Sequence, residues 1–62
     1  MYVMFLLDRL NGSVIRVREL EASSDAEAIE IVSVEQWHGS LELWDGRRKL
    51  LRLDAHRLYG AD

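Results

Sequence analysis

"SSDAEAIEIVSVEQWHG", residues 23–39, is where the reading of this chain divides. Its middle, "IEIVSV" at 29–34, is β-branched and nearly alternating, the pattern of a strand. Its start says helix: Ser24 stands three residues before Glu27, so the hydroxyl can accept from the Glu27 amide while the carboxylate reaches back. At 100° per residue, Ala28, Ile29, Ile31 and Val32 fall within about 160° of one another, with Glu27, Glu30 and Ser33 opposite. The cap and the stripe agree, and no turn residue interrupts the segment before Gly39. A helix starting after Ser24 and stopping near Gly39 is expected.

Strands surround it. "YVMFLLD" is apolar at every position from Val3 to Leu7, as in a central strand covered on both faces. Asn11-Gly12 then marks a hairpin, because both residues tolerate positive φ. "SVIRVREL" alternates Ile15 and Val17 with Arg16 and Arg18. After the helix, "SLELW" and "RKLLRL" flank Asp45-Gly46, a second hairpin signal. The expectation is an α+β fold of ββαββ order, one helix on a four-stranded, mainly antiparallel sheet. Strand order 2-1-3-4 keeps the first strand central and lets the helix cross in the right-handed sense. Residues 1–53 form the single domain and 54–62 a loosely held tail.

The turns assign the faces. With a loop of two residues (11–12) or four (9–12), even positions of the first strand share a face with odd positions of the second. Tyr2, Met4 and Leu6 then lie with Ile15 and Val17 under the helix, and Val3, Phe5 and Leu7 with Val14, Arg16 and Arg18 opposite. In the second hairpin, a three-residue loop with Gly46 left-handed groups Leu41 and Leu43 with Leu51 and Leu53. A two-residue loop would set those leucines beside Arg48, Leu50 and Arg52, so burial favours the former. The uncovered face is therefore expected to carry Val3, Phe5, Leu7, Leu50 and Trp44, framed by Arg16, Arg18, Arg48 and Arg52. A patch of this kind on a small chain calls for a partner.

Size makes the same demand. Sixty-two residues bury on the order of 6,000 Å² on folding, about 60% of it apolar. That contributes roughly 90 kcal/mol, against a chain-ordering cost of roughly 90 kcal/mol. The monomer is marginal. There is no cysteine, which excludes disulfides and most structural zinc sites. The two histidines, His38 and His56, belong to no ligand-spaced cluster. No cofactor or metal is expected, and a partner chain is the remedy left.

Charge is segregated: every charged residue from Glu19 to Glu35 is acidic, whereas Arg47 to Arg57 are basic apart from Asp54. The net charge of −3 argues against bulk attraction to nucleic acid or anionic lipid. The N-terminal apolar run, "MYVMFLL", follows no basic segment and is too short for a signal peptide or a membrane span, so a cytoplasmic protein is expected. No spacing builds a catalytic dyad or triad, and Gly12, Gly39, Gly46 and Gly60 are isolated, so no phosphate loop forms. An enzyme is not expected.

The short hairpin, the helix opening "SDAEAIEIV" and the segment "LELWDGRRKLLRL" resemble small uncharacterised bacterial proteins, common in alphaproteobacteria, that carry an "ELWDG" hairpin near the C-terminus. The likeness spans residues 2–53 and brings no catalytic or binding residues, since that group has no established activity. The strand-turn-strand-helix opening also resembles antitoxins with a HicB-like fold, whose chains are longer and from which this one departs after the helix. The expected role is a homodimeric or protein-interaction module using the open sheet face. The alternative is a single-stranded nucleic-acid-binding or antitoxin-like regulatory module, with Phe5 and Trp44 as stacking platforms.

Overall fold

A computed structural model of the protein describes residues 1–54. The anticipated tail, residues 54–62, lies outside the described residues apart from Asp54. Strand β1 (Tyr2–Leu7) and strand β2 (Val14–Leu20) precede helix α1 (Asp25–Ser33), and strands β3 (Ser40–Asp45) and β4 (Arg48–Leu53) follow. They form one antiparallel sheet in the order β2-β1-β3-β4, with the expected ββαββ chain order. Among the described residues no helix is long and apolar enough to cross a membrane.

The helix starts where its cap dictates. Ser24 Oγ accepts from the Glu27 amide at 3.2 Å, and Glu27 reaches back one residue further than expected, to the Ser23 amide at 2.8 Å and hydroxyl at 2.7 Å. These bonds hold the Glu27 carboxyl below its ordinary range, the Ser23 hydroxyl contributing most. The helix ends at Ser33, well before Gly39. Its last turn is β-branched and carries no basic residue, Ser33 Oγ bonds back to the Ile29 carbonyl at 2.6 Å, and the Glu35 amide closes a tight turn onto Val32. Nothing there favours another helical turn.

Gly39 therefore has a different task from the expected helix stop. The Trp37 indole donates to the Leu7 carbonyl at 3.0 Å, and the chain at Gly39 passes directly over that bond. A Cβ there would collide with the Leu7 carbonyl oxygen and lie 2.6 Å from the indole nitrogen.

Both hairpins contain an irregularity that decides which side chains meet. The first loop has four residues, Arg9 to Gly12. The Asp8 amide donates to the Ser13 carbonyl at 2.8 Å and the Gly12 amide to the Asp8 carbonyl at 2.9 Å. Asp8 Oδ1 accepts from the Leu10 amide at 2.7 Å, and Gly12 takes φ +75°. Two residues into β2 the register shifts: Leu7 pairs with Val14 but Leu6 pairs with Arg16, leaving Ile15 as the extra residue of a bulge. Beyond it every side chain is on the face opposite to that expected. Arg16, Arg18 and Leu20 share the helix side with Leu6, Met4 and Tyr2, while Val17 turns away.

The second loop is Gly46-Arg47, two residues rather than the expected three, with Gly46 at φ +61° and Arg47 not positive. Glycine at the first central position is the type II′ arrangement. The extra residue sits inside β4 instead: Trp44 pairs with Lys49 and Leu43 with Leu51, which makes Leu50 the bulge. Leu41 and Leu43 still meet Leu53 and Leu51, by another route.

The core lies between α1 and the sheet. Met4, Leu6, Leu20, Ala28, Val32, Leu41 and Leu43 are buried, with Ile29, Ile31, Trp37 and Leu51 among those packed around them. The helix lies chiefly over β3 and β4, so the helix side of β2 is left largely to solvent. That is why arginines are tolerated there. Arg18 pairs with Glu35 at 3.5 Å.

Candidate functional site

Cross-strand pairing defines the face opposite the helix. One row across the sheet reads Glu19–Val3–Trp44–Lys49, the next Val17–Phe5–Glu42–Arg52, and a third begins Val14–Leu7–Ser40. Of the nine residues expected there, Val3, Phe5, Leu7, Trp44 and Arg52 occupy it. Four do not. Arg16 and Arg18 lie on the helix side because of the bulge at Ile15. Arg48 pairs with Asp45 on the helix side and bonds the carboxylates of Asp25 at 3.2 Å and Asp45 at 3.1 Å. Leu50, the bulge residue of β4, packs against the core.

The open face has residues that the expected register missed. Val14 and Val17, at 53% and 55% exposure, are among the most exposed large apolar side chains of the fold. Phe5, Leu7, Val14, Glu42, Trp44 and Gly46 line a shallow depression of about 270 Å³. The alternation of Val17 with Arg16 and Arg18 looked like a buried valine between exposed arginines, and no residue in "SVIRVREL" marks the bulge that reverses it.

The indole of Trp44 is fixed from several directions. Its Nε1 donates to Glu42 Oε1 at 2.9 Å. Phe5 meets it edge to face, with centroids 6.5 Å apart and planes at 88°. The Lys49 ammonium stands 5.8 Å from its ring centre. Glu42 also accepts from Arg52 Nη1 and lies 4.0 Å from Lys49 Nζ. Arg52 Nε donates to Asp54 at 2.9 Å, the leading cause of its raised pKa. A carboxylate engaged this way holds the aromatic pair in one orientation. It is also charge-compensated: the face carries Glu19 and Glu42 against Lys49 and Arg52.

A second polar cluster sits at the N-terminus of α1, on the other side. The Tyr2 hydroxyl donates to Asp25 Oδ1 at 2.7 Å, and the N-terminal ammonium donates to Asp45 Oδ1 at 2.9 Å. The Asp25 bond leads, with burial next, in pushing the Tyr2 pKa up to about 12. The N-terminal amine, then Arg48, holds Asp45 below its ordinary range. These contacts tie β1, β3, β4 and the helix start together.

Among the described residues no three His, Cys, Asp or Glu side chains gather to hold a metal ion. His38 stacks on Trp37 at 4.5 Å, in the loop after the helix rather than at the helix end. His56 lies outside the described residues. The arrangement is an aromatic and aliphatic surface with Glu19 on one edge strand, Lys49 and Arg52 on the other and Glu42 between them. No family model matches this chain, and no curated protein or solved structure matches it.

Proposed function

We propose that the protein is a small assembly module that works through the sheet face opposite the helix and takes a second copy of itself as partner. The observation that carries this reading is a face with Val14 and Val17 more than half exposed beside an edge-to-face Phe5–Trp44 pair. Ordered aromatics amid apolar neighbours are the composition of interface centres. Covering them also stabilises a chain whose single core is marginal.

The face is less suited to nucleic acid than the sequence alone implies. Three of its four expected arginines are on the helix side, and the two cations that remain there are matched by two carboxylates. Phosphate binding needs uncompensated positive charge. Catalysis and cofactor binding have no supporting side-chain cluster on this face, and a cytoplasmic location belongs to the same proposal.

Sedimentation equilibrium tests it. The expected result is a reversible monomer–dimer equilibrium at micromolar concentrations, with a melting temperature that falls on dilution. Val14→Asp, at an exposed position lining the apolar depression, should abolish the dimer without unfolding the monomer. A single monomeric mass at ~100 μM with a melting temperature independent of concentration defeats the reading.

A further inference from the structure

We infer that the two copies pack face to face about a two-fold axis parallel to the strands, so that Glu19 on β2 faces the partner's Lys49 on β4. This rests on the dimer reading above and adds its geometry.

An isologous face-to-face pair with aligned strands leaves two choices of axis, both in the plane between the sheets. An axis across the strands lays each strand column on its own copy. The β2 edge with Glu19 would then cover the same edge of the partner, and the β4 edge with Lys49 and Arg52 would do likewise. Like charges would meet at both rims. An axis along the strands lays β2 over the partner's β4 and preserves each row. The row Glu19–Val3–Trp44–Lys49 is then read against the same row reversed. Glu19 meets the partner's Lys49, Val3 meets the partner's Trp44, and the two remaining contacts repeat these by symmetry. In the next row the aliphatic stem of Arg52 covers the partner's Val17. Phe5 falls over the partner's Glu42, whose carboxylate is already taken up by Trp44 and Arg52.

Distances and charges fit. Stacked sheets lie about 10 Å apart, a gap that an extended glutamate and an extended lysine bridge together. An aligned crossing of about 30° displaces the edge strands by roughly one residue, within the reach of both side chains. Glu19 is exposed and makes no ion pair among the described residues, and Lys49 is held only loosely, at 4.0 Å from Glu42. Each sheet has a plan area on the order of 400 Å², which side-chain relief enlarges, so the pair belongs with the small, weakly associating interfaces.

Charge reversal tests the axis. Glu19→Lys changes the net charge from −3 to −1, which by itself favours association, yet it should raise the dimer Kd about tenfold, or ~1.4 kcal/mol over two symmetric contacts. Adding Lys49→Glu to the same chain should restore the Kd to within about threefold of wild type. An equimolar mixture of wild type and the double variant, one of them carrying a mass tag, should sort into homodimers. A Glu19→Lys variant that dimerises as well as wild type, a double variant no better than the single, or preferential wild-type–double heterodimers would overturn this arrangement while leaving the dimer standing. A monomeric wild type would remove both.

Discussion

The two faces of this sheet contain similar residues used in opposite ways. On the helix side, Met4, Leu41 and Leu43 are fully buried in one cluster with Ala28 and Val32 of the nine-residue helix. On the other side, Phe5 and Trp44 are ordered against each other but only half buried, and Val14 and Val17 face water. One surface has its cover within the chain; the other, among the described residues, has the hydrophobicity of a core without its lid. Sheet composition alone does not identify the core face; the helix chooses it.

The largest effect that separates the faces is core truncation. Leu43→Ala should destabilise the monomer by about 2–5 kcal/mol, against no more than about 0.5 kcal/mol for Val17→Ala, measured by urea denaturation at concentrations below the Kd of the proposed dimer. Equal losses would mean that the open face is already covered within the chain. Gly39→Ala should cost about 1–3 kcal/mol, because the new methyl meets the Leu7 backbone as well as the Trp37 indole. Its indole fluorescence should also shift as Trp37 leaves the Leu7 carbonyl. Ser24→Ala should cost about 1 kcal/mol by removing the acceptor for the Glu27 amide, and should lower helical ellipticity without changing oligomeric state.

The smallest effects are in pH. Tyr2 has its pKa raised to about 12 in the fold, above the free value near 10. Its contribution is therefore full below about pH 10 and lost as pH rises towards 12. Asp45 and Glu27 are depressed, so their contributions are present above the free carboxylate range near pH 4 and lost as pH falls below it through their lower folded values. Urea midpoints should decline at both ends, and Tyr2→Phe should flatten the alkaline limb only.

Much of this was legible in short-range chemistry. Ser24 and Glu27 located the helix against the β-branched pull of "IEIVSV", and Asn11-Gly12 and Asp45-Gly46 located both turns. The order β2-β1-β3-β4 followed from the apolar first strand. What escaped was the insertion of single residues. Burial logic requires an extra residue in the second hairpin and pairs its leucines as the structure does, but a loop insertion and a bulge at Leu50 satisfy it equally. The same logic in the first hairpin favoured a regular ladder, because Ile15 and Val17 looked apolar enough to be core. It failed because α1 lies over β3 and β4 and leaves β2 uncovered, so arginines sit beside Leu6 and Met4 at little cost. How far a short helix reaches is a tertiary fact with no local signature. The open face was visible in the sequence through Phe5 and Trp44, and its true charge balance was not.

The two bulges have one more consequence. β2 and β4 are the outer strands of the sheet, and each carries its own bulge, at Ile15 and at Leu50. A regular outer strand exposes an unbroken row of amides and carbonyls on which another molecule's strand can add, and then another, without limit. A bulge interrupts that row and twists it out of line. With each border interrupted, strand-by-strand growth into a ribbon or fibre is disfavoured, as the face-to-face pair proposed above requires.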